Sequence, residues 1–259
     1  LPIPNHKIPV HTQAIRDRLY RVFGYTYEDV KDQILPMAEN AVEPTFSMGH
    51  DAPLAVLSEA HQLLFNYFKQ LFAQVTNPPI DSLREKIVTD TTVYIGSDGD
   101  LLQEKSGNCT VLEVNHPILT GVDLLKIRHL DQPGFKAREI SLLYYKNTSL
   151  VKALDQLNIT IDRAVAEGCN IIILTDRGVD ENHMPIPSLL AVSSVEEHLV
   201  RTKKRTAVSL ILESGEPRDV HQIATLLGFG ARAICPYLAH ECIGELIDLG
   251  ILDKDYYTA

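Results

Sequence analysis

The sequence predicts an α/β fold built around a parallel sheet. Two uninterrupted apolar runs, at 171–174 and 207–212, are separated by a segment at 187–201 whose apolar residues have helical spacing. Strands that are buried on both faces lack polar alternation, so the runs are typical of parallel strands joined by a right-handed crossover. The alternation of strand and helix continues to the end of the chain, which predicts a partial (β/α) barrel or an open doubly wound sheet.

The first 100 residues are predicted to be mostly helical. Apolar spacing indicates helices at 12–23 and 27–39, and Pro36 should bend or end the second. The strongest helical stripe runs from 58 to 75 and stops at the sequence TNPPID, residues 76–81. Its two prolines remove amide donors and disfavour the helical backbone before them. Asp81 or Ser82 then begins a short helix at 83–88.

Residues 101–259 are predicted to alternate between strands and helices, and we expect the whole chain, 1–259, to form one domain. The predicted strands are 109–114, 139–145, 171–174, 207–212 and 231–235. The predicted helices are 122–130, 150–167, 187–201, 218–227 and 238–249.

Composition excludes several classes of protein. The net charge of -10 provides no basic surface for phosphates, so we expect no nucleic-acid partner. No apolar run is long enough to cross a bilayer, so we expect no membrane partner. The four cysteines form no CxxC pair and suit a reducing compartment, which predicts a cytoplasmic protein without a metal site. The proline-rich start, LPIP, suggests a segment of a longer chain.

The sequence GFGARA at 228–233 matches the dinucleotide-binding pattern of glycines only as a string. That pattern requires a preceding strand and a following helix, so that the helix N-terminus meets the pyrophosphate. Here the order is reversed, with a predicted helix before and a predicted strand after. We therefore interpret Gly228 and Gly230 as a helix stop.

Two charged loops follow the central predicted strands. Asp176, Asp180, Glu181 and His183 follow the first strand, and these residue types serve as metal ligands or as acids and bases. The sequence ESGE at 213–216 follows the second, where Ser214 is also a candidate helix cap before Pro217. Loops at strand ends are commonly polar, and no known nucleophile motif occurs. The motifs alone therefore identify no catalytic residue.

Several long tracts carry a family resemblance. They are EPTFSMGHDAPLAVLS at 43–58, YFKQLFAQVTNPPID at 67–81, LTDRGV at 174–179, IPSLLAV at 186–192 and ESGE at 213–216. Together they resemble the central domain of glutamate synthase large chains. His50 departs from this resemblance, since an acidic residue is expected there.

The resemblance implies one part of a large enzyme. In that family an amidotransferase domain with a cysteine nucleophile releases ammonia from glutamine. A domain with FMN and an iron–sulfur cluster then adds the ammonia to 2-oxoglutarate and reduces the imine to glutamate. The central domain joins them and resembles an incomplete TIM-like (β/α) barrel. We expect no cofactor and no catalysis in the present chain. Its expected partners are the amidotransferase and FMN domains, with a small NAD(P)H-oxidising subunit in some enzymes.

Ammonia released into neutral water becomes protonated and loses its nucleophilic lone pair, so its passage between sites needs an enclosed, uncharged route. Thr76, Asn77 and Ile80 have the required polar, uncharged and apolar character, and Pro78 would fix the turn. We therefore predict that these four residues line the ammonia route. The alternative is a turn that only ends a helix.

The loops at Asp176, Arg177, Ser214 and Glu216 are predicted to contact a ligand or a neighbouring domain. Two further hypotheses stay open beside the central-domain one. The first is a free-standing TIM-like enzyme that binds phosphate or flavin through the Asp176 and Glu213 loops. The second is a regulatory scaffold without chemistry of its own.

Overall fold

The computed structural model describes residues 1–45, 59, 62–69, 80–100 and 102–256. Helix α1, Gln13–Val22, begins the helical N-terminal part. A π-helical turn, Asp29–Ile34, then leads directly into α2, Leu35–Asn40. Pro36 lies in the first turn of α2, where its missing amide donor is tolerated. The predicted helices at 12–23 and 27–39 are therefore confirmed, with a widened turn before the proline.

The centre of the fold is a four-stranded parallel sheet in the order β3-β5-β7-β8. Its strands are β3 Ala137–Ser141, β5 Ile171–Thr175, β7 Ser209–Glu213 and β8 Ala231–Cys235. Every residue of β5 and β7 is buried, as the continuous apolar runs predict. Ile118 makes a further parallel bridge to Ile234 at the β8 edge. The predicted α/β class is confirmed.

Both faces of this sheet are covered. On one face, Ile172 and Leu174 of β5 pack against α5, α6 and α7, which span Leu150–Ala166, Ser188–Arg201 and Val220–Gly228. On the other, Ile171 and Ile173 belong to a cluster with residues of α1, of α4 (Gly121–Arg128) and of α8 (Tyr237–Asp248). The described strands form an open sheet, and a TIM-like barrel is not confirmed.

Two small antiparallel sheets flank the central one. Strands β1, Val93–Gly96, and β2, Val111–Val114, pair with each other, although the sequence indicated no strand at β1. The predicted strand 139–145 is divided at Leu142 into β3 and β4, Leu143–Tyr145. Strand β4 leaves the central sheet to pair with β6, His183–Pro185, another strand that the sequence did not indicate. Both missed strands are only three or four residues long, too short for a periodic signal.

The prediction of one continuous helix over 58–75 is wrong within its described part. Leu64–Phe68 forms a short 3₁₀ helix, and Leu63 and Lys69 on either side have extended backbone. Phe65 is buried in the core, whereas Tyr67 and Phe68 are exposed. The Phe68 ring packs edge-on against Phe229, with ring centroids 5.3 Å apart. Contacts with the end of α7 therefore override the helical pattern. A second short helix, α3, spans Glu85–Val88, within the predicted 83–88.

The glycine motif lies between α7 and β8, as predicted. Gly228 ends α7, and Gly230 has a φ of +114°, a backbone conformation that favours glycine. A side chain at Gly230 would also contact the carboxyl group of Glu196. Gly230 therefore serves the helix-to-strand turn, and Gly228 is the last residue of the helix before it. Within the described ranges, no helix is both long and apolar enough to span a membrane.

Candidate functional site

The carboxyl ends of β5 and β7 bring the two predicted loops together. Thr175 at the end of β5 is in register with Glu213 at the end of β7. Parallel strands end at the same edge of a sheet, which is where α/β folds bind ligands. Residues 176–178 and 214–217 therefore emerge side by side, and a buried polar network joins them.

Glu213 is the centre of this network and is almost fully buried. Its Oε2 accepts hydrogen bonds from Arg128 Nη2 at 2.8 Å and from Thr175 Oγ1 at 2.8 Å. Its Oε1 accepts from Arg177 Nε at 2.7 Å. A buried carboxylate needs such partners because desolvation is costly. Glu213 thus ties α4, β5 and β7 together.

Arg177 connects the network to the N-terminal strap, which we define as residues 6–11. Its guanidinium lies 3.9 Å from the centre of the Tyr237 ring, a cation–π contact. Its Nη1 donates to the carbonyl of Pro9 at 3.3 Å and lies 3.6 Å from Glu241 Oε1. His11 Nδ1 is 3.0 Å from the same Glu241 carboxylate. Burial alone would raise the pKa of Glu241, but the hydrogen bonds from His11 lower it below its usual range.

Asp176 has the most perturbed carboxyl group of the site. Ser214 Oγ donates to its Oδ2 at 2.5 Å, and the Gly215 amide donates to its Oδ1 at 3.1 Å. Burial nevertheless raises the pKa of Asp176 to about 7, since the two donors only partly offset the loss of water. This side chain can therefore change its charge near neutral pH.

Glu216 and Arg218 tie the β7 loop to helical segments. The Glu216 carboxylate accepts from the Ser188 amide at 2.8 Å and from the Ser188 hydroxyl, at the start of α6. An anion is favourable there because of the helix dipole. Arg218 donates to the carbonyls of Phe23 and Gly24 at 2.9 Å each and pairs with Asp29 at 3.1 Å. The loop thereby holds the end of α1 in place.

The structure thus brings Asp176, Arg177, Ser214 and Glu216 to one edge of the sheet, with their polar groups bonded inside the chain. Their proposed contact with a ligand or a neighbouring domain stays a prediction. One structural expectation is wrong: Ser214 does not cap the following helix, because Asp219 accepts from the Gln222 amide of α7 at 2.7 Å. Ser214 is instead committed to Asp176.

The remaining charged loop residues are peripheral. Asp180 and His183 are exposed and pair at 3.0 Å, and these hydrogen bonds lower the pKa of Asp180 to about 2. Among the residues that the structure describes, no group of three or more histidine, cysteine or acidic side chains could hold a metal ion.

Of the four residues predicted to line the ammonia route, the structure describes only Ile80. Thr76, Asn77 and Pro78 are outside the described residues. Ile80 is described, and its side chain is 45% exposed. The next residue, Asp81, accepts from the amides of Leu83 and Arg84 at 3.0 Å, which starts the turn into α3.

Sequence reasoning missed Arg128 and Tyr237. Arg128 carries the ordinary signal of a cation in the last turn of a helix, so its pairing with Glu213 depends on tertiary structure. Tyr237 directly follows the carboxyl end of β8, a position that could have pointed to it. Burial raises the pKa of Tyr237, so its phenol stays neutral.

Comparison with known proteins gives consistent matches. The family described as "Glutamate synthase central domain" matches residues 18–259. The large chain of glutamate synthase [NADPH] from Bacillus subtilis is 44% identical over 92% of this chain, which covers 16% of that protein. Glutamate synthase [NADH] from Schizosaccharomyces pombe is 41% identical over 89% of this chain and 11% of its own length. Ferredoxin-dependent glutamate synthase 2 from Synechocystis sp. is 44% identical over 86% of this chain and 14% of its own length.

The chain therefore spans less than a fifth of the length of these relatives. The match over residues 18–259 covers nearly all of the chain, and it includes the buried network described above. The chain belongs to the glutamate synthase central domain family.

Proposed function

We propose that this chain connects the glutamine amidotransferase domain of a glutamate synthase to its FMN and iron–sulfur synthase domain. In this role it helps enclose the ammonia that passes between them during L-glutamate formation from glutamine and 2-oxoglutarate. The observation that carries the proposal is the family match over residues 18–259. The relatives are named for NADPH, NADH and ferredoxin, so the match extends across enzymes with different electron donors.

The internal bonding of the site supports a connecting role. The buried carboxylates of Asp176, Glu213 and Glu216 each accept hydrogen bonds from this chain's own residues. A carboxylate that accepts protons or binds metal during catalysis needs access to substrate. The arrangement instead cross-links α1, α4 and α6 to the sheet edge. Such bonding gives a rigid body that holds two larger domains at a fixed separation.

The cofactors and partners of the reaction then belong to other parts of the enzyme. FMN and the iron–sulfur cluster bind to the synthase domain, and any NAD(P)H-oxidising subunit supplies electrons there. We place the protein in the cytoplasm, which its four free cysteines support. Burial raises the pKa of Cys235 to about 12, so this thiol is protonated and unreactive.

We infer that the described sheet is part of the incomplete barrel that the family resemblance implies. The sequential neighbours β5, β7 and β8 lie side by side, and the helices between them pack on a single face. Consecutive neighbours with outer helices are the arrangement of a (β/α) barrel.

The segment from Thr76 to Ile80 is the proposed wall of the ammonia route. Its side chains are uncharged, so they do not donate a proton to ammonia, and consecutive prolines restrict the backbone. A rigid wall excludes water better than a mobile loop, and exclusion of water keeps ammonia neutral.

Replacing Thr76 with tryptophan in the full-length enzyme tests this wall. Thr76→Trp should block the passage, so that glutamine is still hydrolysed while glutamate formation from 2-oxoglutarate falls. The measurement is the ratio of glutamine hydrolysed to 2-oxoglutarate consumed. It should rise severalfold above that of the unmodified enzyme. Thr202→Trp, at an exposed position after α6, is the matched control and should leave the ratio unchanged. An unchanged ratio in Thr76→Trp would contradict the proposed route.

A free-standing enzyme that uses the Asp176 and Glu213 loops is less well supported. Its acidic groups would have to leave hydrogen bonds of 2.5 to 2.8 Å before they could meet a phosphate or flavin. Loops 176–178 and 214–217 contain one cation, Arg177, which already pairs with Glu213 at 2.7 Å, so neither loop offers a free counter-charge to a phosphate.

A further inference from the structure

A cavity of about 520 Å³ lies beyond the carboxyl end of β8, next to the buried network. The N-terminal strap forms one wall through Ile8 and Val10, and α4 forms another through Val122. Helix α8 forms the floor of the cavity, and Tyr256, which follows α8 in the chain, lies at its border. Pockets for small molecules have volumes of roughly 300 to 1,000 Å³ and often lie at this edge of a sheet. We call it the α8 cavity.

The charged groups around the α8 cavity are already paired. Arg177 contacts Glu241 at 3.6 Å, and Arg16 contacts Glu245 at 3.5 Å. The fifth charged side chain, Asp248, accepts a hydrogen bond from the Tyr256 hydroxyl. Both arginines on these walls are paired with carboxylates, so an anionic ligand would find no unpaired cation, and burying it without one is costly. The cavity therefore favours a ligand without negative charge.

His240 is a polar side chain of the cavity wall whose ring has no partner among the described residues. It lies on α8 and lines the cavity, and its ring forms no hydrogen bond or ion pair with any residue that the structure describes. Burial lowers the pKa of His240, so the imidazole is neutral at pH 7. A neutral imidazole offers one donor and one acceptor nitrogen. An unpaired polar ring beside apolar walls is a suitable anchor for a ligand.

We propose that the α8 cavity binds a small uncharged molecule, whose apolar body contacts Ile8, Val10 and Val122 and whose polar group hydrogen-bonds to His240. The residues that line the cavity include none of those proposed for the ammonia route. The strap closes over it through the Pro9 carbonyl and His11, which bond to Arg177 and Glu241. Two strap residues are therefore bonded to side chains that line the cavity.

The neutral fluorophore N-phenyl-1-naphthylamine tests the proposal on the purified full-length protein. It combines an apolar body with one N–H donor, and its fluorescence rises on transfer out of water. We expect saturable binding. The anionic analogue 8-anilino-1-naphthalenesulfonate has the same rings and an added sulfonate, so it should bind at least about tenfold more weakly. Equal affinities would overturn the proposal, because the cavity would then accept a charge.

Two variants locate the bound probe. Val122→Phe fills the cavity and should weaken the binding of the neutral probe about tenfold. Val151→Phe, on the exposed surface of α5 on the other side of the sheet, is the matched control and should not affect binding. His240→Leu removes the anchor and should weaken binding about fivefold, by the loss of one hydrogen bond. His116→Leu, at an exposed position, is its control.

Circular dichroism and the unfolding midpoint verify that each variant is folded, and His240→Leu keeps the test valid if Val122→Phe does not fold. No saturable binding, or equal affinity in the variants and their controls, would overturn the proposal. If the probe does not bind, the proposed ammonia route is unaffected, because its test measures the ratio of glutamine hydrolysed to 2-oxoglutarate consumed.

Discussion

At the scale of single residues, the fold depends on a few buried charges at the carboxyl edge of the sheet. Glu213 contacts two arginines at 2.7 and 2.8 Å, and each arginine also lies near another carboxylate. Buried ion pairs contribute little relative to apolar replacements, but loss of one partner is strongly destabilising. The exposed pairs, such as Arg201 with Glu197 at 3.5 Å, contribute little in either case.

We therefore predict that Glu213→Gln lowers the free energy of unfolding by about 3 kcal/mol, because it removes the most buried carboxylate of the network and leaves each guanidinium group with only its second, more exposed carboxylate. Urea denaturation measures this change. Glu197→Gln replaces the same residue type in an exposed pair and should change the free energy of unfolding by less than about 0.5 kcal/mol. Equal effects of the two substitutions would show that the Glu213 network is not structural.

Asp176 should make stability depend on pH. Its folded pKa of about 7 lies above its ordinary value of 3.8, so between these values the folded state binds more protons than the unfolded state. The free energy of unfolding should therefore fall as pH rises from 4 to 7, by about 1.4 kcal/mol per unit of pKa difference. Its contribution is complete below pH 4 and is lost above the folded pKa.

Asp176→Asn removes this titration. Denaturation of both proteins between pH 4 and 8 should show the unmodified chain losing stability relative to the variant as pH rises. Asp155→Asn, at an exposed position of α5, should track the unmodified chain throughout. A stability difference between the unmodified chain and Asp176→Asn that is constant with pH would contradict the raised pKa.

At the scale of elements, the loop that follows β7 packs against the residues that end α1. Arg218 bonds to the carbonyls of Phe23 and Gly24, and Gly215 lies against the Phe23 ring. A Cβ atom built at Gly215 would be 2.6 Å from that ring, and such a contact requires the ring or the loop to move. Close packing against the Phe23 ring therefore requires a residue without a Cβ atom at position 215.

Gly215→Ala should lower the free energy of unfolding by about 1–3 kcal/mol, the usual range for overpacking. Phe23→Leu should relieve part of this loss, so the double variant should be more stable than the sum of the two single changes implies. Gly228→Ala is the control. Its Cβ meets no atom within 4 Å, and removal of a helical glycine should be neutral or slightly stabilising. Additive effects of Gly215→Ala and Phe23→Leu would rule out the contact as the cause.

At the scale of the whole molecule, the described sheet and its polar edge are held by contacts within this chain. The sheet is buried on both faces, and its charged edge is bonded internally. The relatives are several times longer than the region matched here. These observations support a role in separating and connecting two reactions.

The purified 259-residue chain should accordingly be colourless in the visible range and should show neither glutaminase nor glutamate synthase activity. An absorption scan and both activity assays measure this, with the full-length enzyme as the positive control. A flavin spectrum or turnover by the chain alone would favour the free-standing enzyme instead.

The sequence by itself determined the parallel strands and their order along the chain, because the runs at 171–174 and 207–212 are local, continuous patterns. It also determined the family, since the matched tracts are long. It placed the Asp176 and Ser214 loops after two predicted parallel strands, where α/β folds commonly bind ligands.

Only the tertiary structure decided which partners those loops have. Arg128, His11 and Glu241 come from distant parts of the chain, and their pairing depends on packing that no local pattern encodes. The short 3₁₀ helix at Leu64–Phe68 shows the same limit. Its helical periodicity is genuine, but burial of Phe65 and the contact of Phe68 with Phe229 determine its conformation. Local propensity is worth a few tenths of a kcal/mol per residue, whereas burial of one aromatic side chain is worth about 1.5–3 kcal/mol.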